Sequence, residues 1–257
     1  MKLCIESISS WYSELQVEKA KYEPGTEGNE SIQDLPKLEF VSAMQRRRLT
    51  PFAKIALFAT ENALKSSLNT NIEDIPIVFS SRHGDLHKTS ELLGDLAEDT
   101  VLSPTAFGLS VHNAVAGLLS IIKNNTAAIN AVSSGKDSFF MALVDAYARL
   151  SSGLCKKILF IHVDRALPNL YDCFRDELQI DHAVAFIVSL EGSDGSQQIE
   201  FGFDSKDSSL TENDELPAAI CFEQWLSSSS NEFSICSILF RKKALSGALF
   251  LYDLETS

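Results

Sequence analysis

Short β-branched and aromatic runs alternate along this chain with stretches whose apolar residues recur at helical spacing, so strand-like and helix-like segments take turns. Residues 2–9 alternate well enough for a strand, whereas residues 18–38 are charged, punctuated by Gly and Pro, and read as loop. Regular structure is expected to begin in earnest near residue 41. Thr50-Pro51 has the N-cap and first-turn chemistry of a helix start, and Ala53, Leu57, Leu64 and Leu68 then supply one apolar face. Ile55 and Phe58 widen that face, which predicts burial on more than one side. Residues 75–80 predict a short strand and residues 88–98 an amphipathic helix. Residues 111–123 are almost wholly apolar with Gly117 inside, which predicts a buried helix packed closely on a neighbour. Further along, 126–132 reads as a buried strand, 137–150 as a helix, and 157–163 and 183–190 as strands. Strands separated by helical segments predict an α/β fold with a largely parallel sheet covered on both faces. The Gly192-Ser193-Asp194-Gly195-Ser196 cluster predicts a hairpin joining 183–190 to 198–203. After an acidic, Ser-rich loop at 205–215 come a helix at 218–226 and strands at 234–240 and 247–252. The expected organisation is a main domain at residues 1–191 and a short β-rich extension at 192–257 that completes it.

Composition narrows the class of protein. At 257 residues with 45% apolar content the chain is long enough to bury a substantial core. No apolar run approaches the roughly 20 residues needed to cross a bilayer. The start, Met1-Lys2-Leu3-Cys4-Ile5-Glu6, carries neither a secretory signal nor an anchor pattern, so a cytoplasmic location is the expectation. Five cysteines, Cys4, Cys155, Cys173, Cys221 and Cys236, are widely spaced and lack any C-x-x-C pair, against a disulfide framework or zinc site. A formal net charge of −13 disfavours nucleic acid and anionic membrane as partners, because both need Lys and Arg to neutralise phosphate. Arg46-Arg47-Arg48 is too short a basic stretch to reverse that.

Four blocks of sequence carry a family resemblance. Arg46-Arg47-Arg48-Leu49 leads into Phe52-Ala53-Lys54-Ile55-Ala56; Ser103-Pro104-Thr105-Ala106-Phe107-Gly108-Leu109-Ser110 continues through His112-Asn113 to Gly117; residues 126–143 hold Ala131-Val132-Ser133-Ser134-Gly135; and Tyr171-Asp172-Cys173-Phe174-Arg175-Asp176-Glu177-Leu178 precedes residues 183–191. In this order they resemble the early helix, the S-P-F-x-x-P-x-x-x-x-N-x-x-x-G segment, the nucleophile strand and helix, and the F-D-x-x-R-D-G-F block of β-ketoacyl synthases. The resemblance covers roughly residues 41–191 and implies a thiolase-like, ketosynthase-type half, layered helix-sheet-helix, with a truncated C-terminal half.

The family's site is a thiolate at the N-terminus of a buried helix, where backbone N–H groups and the helix dipole depress its pKa and stabilise an oxyanion. The corresponding position here is Val132, which cannot form a thiolate. The family's two catalytic histidines lie well beyond its cysteine, but the last histidine of this chain is His182. The resemblance therefore implies a pseudo-ketosynthase without a catalytic residue, similar to the short chain-length-factor-like subunits of bacterial aryl polyene biosynthesis. It also implies a dimer frame: Thr126, Ala127, Ala128, Ile129, Asn130 and Ala131 form an interface strand, and Ala106, Phe107 and Ser110 approach the partner's acyl pocket. A small Ala106 leaves room there for a long acyl chain. His112 and Asn113 are either a polar contact at that interface or a hydrogen-bonded core pair. The implied partner is a ketosynthase subunit, with the acyl carrier protein reached through it, since an acidic carrier is repelled by an acidic surface.

The residues themselves also offer other chemistry. Ser133 or Ser134 stands where a serine acyltransferase or thioesterase would put its nucleophile, yet no base is identifiable, and small hydroxyls also cap helices. Gly108-Leu109-Ser110-Val111-His112 lacks the final glycine of a nucleophile elbow. His83 and His87 have metal-compatible spacing on a helix, but Gly84 places them at a turn with no third ligand. Val111, Val115, Leu118, Leu119 and Ile122 line either an acyl tunnel or ordinary core. A free-standing acyl-binding module is a further alternative, opposed by the open apolar edge it would expose. No cofactor or metal is expected.

Overall fold

The computed structural model describes residues 1–14, 16–18, 35–67, 70–203, 216–235 and 238–243. Most of the 18–38 loop, Leu68, the 205–215 loop and the strand expected at 247–252 lie outside these residues. An eight-stranded sheet in the order β3-β2-β4-β5-β1-β6-β8-β7 runs through the molecule. Its strands are β1 (Lys2–Tyr12), β2 (Ile77–Ser80), β3 (Ile129–Val132), β4 (Lys157–Asp164), β5 (His182–Ser189), β6 (Gln197–Phe203), β7 (Glu232–Ile235) and β8 (Ile238–Lys243). The helices in chain order are α1 (Ala43–Arg46), α2 (Pro51–Ser66), α3 (Leu86–Ala97), α4 (Pro104–Ser110), α5 (Ala114–Lys123), α6 (Ser138–Ser151) and α7 (Ala218–Ser227).

Both faces of the central strands are covered, which is why β4 and β5 read as unbroken apolar runs. On one face, α2 and α5 pack Phe52, Ile55, Leu57, Ala116 and Leu119 against Phe79, Leu159, Ile161 and Ile187. On the other, α6 and α7 bring Phe139, Phe140, Leu143, Phe222 and Trp225 onto Phe160, Phe186 and Phe240. Phe160 and Phe186 stack at 4.4 Å between ring centroids, and Phe139 meets both edge-on. The helix start expected at Thr50-Pro51 is present, and the Thr50 hydroxyl oxygen accepts from the Ala53 amide at 3.2 Å. Lys123 of α5 reaches Glu61 of α2 at 2.5 Å and pins the two helices together.

The sheet departs from the expected, largely parallel one. Only the β3-β2-β4 segment is parallel, and every other pairing is antiparallel. Between β4 and β5 the chain forms only a short 3-10 helix, Asn169–Phe174, and no crossover helix carries it back for a parallel return. The expected hairpin of 183–190 with 198–203 is not formed either. β1 lies between β5 and β6, paired antiparallel with each. The turn must therefore pass over β1, and it does so closely at Gly192, where an added Cβ would lie 2.5 Å from Ser196 Oγ and 3.3 Å from Cys4 Sγ.

Three smaller differences follow from local chemistry. The apolar 111–123 stretch breaks before Ala114, and Val111 closes α4 in an extended conformation. Gly117 has open space around its Cα within this chain, so no close helix contact requires it. The single strand expected at 234–240 is instead the pair β7 and β8. Among the described residues no single helix is long and apolar enough to cross a membrane; α4 and α5 satisfy length and composition only together, and they are bent by 99°.

Candidate functional site

The end of β3 is the natural centre of the site. This strand pairs only with β2, register Ile77↔Ile129 to Ser80↔Val132, and its other flank has no strand partner among the described residues. Where a buried strand is expected at 126–132, and an interface strand by the family resemblance, β3 is a half-exposed edge four residues long. Thr126 and Ala128 are exposed, Ala127 is half-buried, and all three precede the strand as loop. Asn125 fixes that approach: its side-chain amide donates to Ile75 O at 2.9 Å, and its side-chain oxygen accepts from Ala127 N at 2.9 Å. Along β3, Asn130 turns toward α6 and donates to Asp145 at 3.0 Å, Ile129 joins the opposite core, Ala131 is exposed, and Val132 packs against the α6 core.

After Val132 the chain makes a tight turn through Gly135 at φ +60°, a backbone region that favours glycine. Ser138 fastens the turn: its hydroxyl donates to Gly135 O at 2.7 Å and accepts from Ser134 N at 2.9 Å. The Ser133 hydroxyl donates to the Arg82 carbonyl at 3.0 Å. Among the described residues neither the Ser133 nor the Ser134 hydroxyl bonds a histidine or a carboxylate.

The segment leaving β2 gathers the remaining polar groups. Asp164, at the end of β4, accepts from the Ser81 hydroxyl at 2.7 Å and from the backbone N–H of Arg82 and His83 at 2.8–3.2 Å. The Ser81 amide donates to Val132 O at 3.3 Å, and the Ser81 carbonyl faces His112 Nε2 at 2.8 Å. The backbone of Ser81 thus brings His112 and the end of β3 at Val132 together. Arg82 makes a bidentate pair with Asp176 at 2.7 and 2.8 Å, and Lys136 adds a contact at 3.3 Å. Burial pushes the Asp176 carboxyl up, but its hydrogen bond to Arg82 and the two cations bring it below the ordinary range. Next to it, burial pushes Glu177 up to about 7, and Arg82 at 3.6 Å only partly offsets this.

The other expected site residues fall on one surface. On α4, Ala106 is half-buried, Phe107 is 59% exposed, and the Ser110 hydroxyl donates to Phe107 O at 2.9 Å. Ala106 also lines an open cleft of about 430 Å³ with Arg48, Leu49, Thr50, Lys88, Ser103, Thr105 and Leu109. His112 bonds into the core and Asn113 is exposed, so the two do not act as a pair. Val115 and Leu119 are core residues, whereas Val111 and Ile121 are exposed. Among the described residues His83 and His87 do not converge on a third ligand, and His87 Nε2 lies 2.8 Å from Ala166 O. A different trio does converge: His162, Asp164 and His182, buried on neighbouring strands, with ligand atoms within 4.8 Å of one another. Burial lowers His162 to about 4 and also lowers His182. The H-x-D spacing of His162 and Asp164 at a strand end was the signal available in the sequence, because residues two apart on a strand share a face.

Residues 18–239 match the family described as the β-ketoacyl synthase N-terminal domain. The chain belongs to this family. Solved structures with the same fold include a ketosynthase (ApeO) in complex with its chain length factor (ApeC) from Xenorhabdus doucetiae: TM-score 0.71 and 22% identity, covering 95% of this chain and all of the matched one. A β-ketoacyl synthase from Burkholderia phymatum STM815 superposes with a TM-score of 0.59 at 13% identity, over 82% of this chain and 66% of that one. The ishigamide ketosynthase/chain length factor gives 0.57 at 14% identity, over 88% and 73%. No curated protein matches the chain. Within the β-ketoacyl synthase family, the strand-turn-helix around Val132 stands where the resemblance puts the nucleophile, and the fold is the thiolase-like one.

Proposed function

We propose that this chain is a chain-length-factor-like partner of a ketosynthase that forms no acyl-enzyme of its own, stabilises the heteromer and shapes its acyl pocket in polyene or fatty-acid-type elongation in the cytoplasm. The observation that carries this reading is Val132 at the end of β3, where family chemistry needs a thiolate. An aliphatic side chain packed into the α6 core has no proton to lose and no lone pair to attack with. Two further features support a partner. The flank of β3 without a strand partner among the described residues leaves Ala131 exposed, and Phe107 on α4, Val111 at its C-cap and Ile121 on α5 are exposed apolar side chains, a composition suited to an obligate interface. The matched chain in the Xenorhabdus doucetiae complex is covered from end to end, and that assembly is named for a ketosynthase and its chain length factor. In this reading Ala106, Phe107 and Ser110 border the partner's pocket, and acyl carrier protein docks through the partner.

Co-expression with a candidate ketosynthase partner, followed by mass analysis and condensation assays, tests the proposal. The expected result is a stoichiometric complex whose activity needs the partner's cysteine and survives Ser133→Ala with Ser134→Ala. An isolated chain that hydrolyses or transfers acyl thioesters, with activity lost in those serine variants, would overturn it in favour of a serine enzyme. A stable monomer that encloses acyl chains without a partner would point to a binding module.

A further inference from the structure

Beneath the turn that follows β3, three electron-pair donors converge with no hydrogen to share between them. His162 and Asp164 are two apart on β4 and share a face, and the antiparallel register sets His182 of β5 directly opposite Asp164. The three residues are 5, 6 and 2% exposed.

Their hydrogen bonds fix the tautomers. His162 Nδ1 lies 2.9 Å from Ser80 Oγ, and that hydroxyl gives its one proton to the Ser138 carbonyl at 3.0 Å. Ser80 Oγ can therefore only accept, and the imidazole proton sits on His162 Nδ1. His182 Nδ1 lies 2.8 Å from the Ile180 carbonyl, which also only accepts, so its proton sits on Nδ1 as well. Both Nε2 atoms are left as bare lone pairs. One faces Asp164 Oδ2 at 3.4 Å, an acceptor against an acceptor, and His182 Nε2 is buried with no hydrogen-bond partner.

From this arrangement we infer that His162 Nε2, His182 Nε2 and Asp164 Oδ2 form a site for a divalent cation of the zinc class. A cation turns three mutually unfavourable acceptors into three ligands. Imidazole with carboxylate suits Zn²⁺ and its neighbours, and each ring is oriented from behind through its Nδ1–H, as ligating histidines are. Ligands about 2.1 Å from a tetrahedral ion stand roughly 3.4 Å apart. The His162 to Asp164 separation already meets that, and the widest of the group, within 4.8 Å, closes by no more than about 1.4 Å. The ion ties β4 to β5 directly below Phe139, whose ring centroid is 5.4 Å from that of His162, and so supports the start of α6 from beneath. Its role is structural, and the site is closed enough that the ion enters as the chain folds.

The full-length chain, refolded with Zn²⁺ or Co²⁺ and washed with a mild chelator, is expected to retain about one ion per chain. The Co²⁺ form is expected to show the strong visible bands of a low-coordinate, nitrogen-ligated ion, and Zn²⁺ to raise the melting temperature. His162→Gln and His182→Gln should each lose the retained ion and the temperature shift while keeping the native circular dichroism. A wild-type chain that refolds fully yet retains neither ion overturns the site and leaves a buried water as its occupant. Glutamine variants that keep as much metal as wild type overturn it equally. If the variants fail to fold, the wild-type Co²⁺ spectrum decides: six-coordinate or absent bands exclude the site.

Discussion

At the scale of single residues, the polar groups around the β3 turn set a balance of charge. Arg82 serves Asp176 and Glu177 together, and the first takes the better geometry: two bonds of 2.7 and 2.8 Å against a single approach of 3.6 Å. Glu177 is then ionised at a cost, and burial lifts its carboxyl from the ordinary 4.5 to about 7. Because the folded chain holds this proton more tightly than the unfolded one, the stabilisation is complete below about pH 4.5 and is lost as pH rises through about 7. Glu177→Gln removes the titration. The variant should gain stability relative to wild type as pH rises from about 4.5 to about 7, read by urea denaturation at a series of pH values. An unchanged difference across that range would mean that Glu177 keeps its proton loosely in the folded state. Asp176 works in the opposite direction: its lowered carboxyl contributes stability that is lost only as pH falls below the ordinary aspartate value.

At the scale of elements, α6 and β3 carry the site in different ways. α6 is held by packing, and Phe139 is its keystone, 1% exposed and in ring contact with Phe140, Phe160, Phe186 and Phe222. Phe139→Ala should cost about 3–5 kcal/mol in equilibrium unfolding with an unchanged denaturant slope, since it leaves a cavity between rings that cannot collapse onto it. Among the described residues β3 pairs with one neighbouring strand, and its other flank has no strand partner. Ala131→Lys puts a charge on that flank, a device natural sheets use to prevent edge pairing. The isolated variant should keep the wild-type melting temperature to within a few degrees, because the side chain is already exposed. Association with the ketosynthase should fall by at least about tenfold in a titration, the effect of roughly 1.4 kcal/mol. A variant that binds as tightly as wild type would move the interface away from β3.

At the scale of the whole molecule, the formal charge of −13 and the apolar side chains on α4 and α5 make separate statements about association. If the exposed apolar surface drives assembly, the complex should survive about 1 M salt, where the Debye length is only ~3 Å, and size-exclusion chromatography at low and high salt reads this directly. Dissociation at high salt would mean that a charged contact holds the partner. The sequence by itself determined much of this protein: the apolar runs of β4 and β5, the Thr50-Pro51 helix start, the strand-turn-helix around Val132 and the identity of the residue at that position are all local. They rest on periodicity, capping and side-chain chemistry, which act over a few neighbours. Only the tertiary structure decided that β1 intervenes between β5 and β6, that the sheet turns antiparallel beyond β4, that β3 is an edge, and that His162, Asp164 and His182 meet. Each of these depends on which strand lies beside which, and strand pairing joins residues up to 198 positions apart, as between Lys2 and Glu200, through backbone hydrogen bonds that no local pattern encodes.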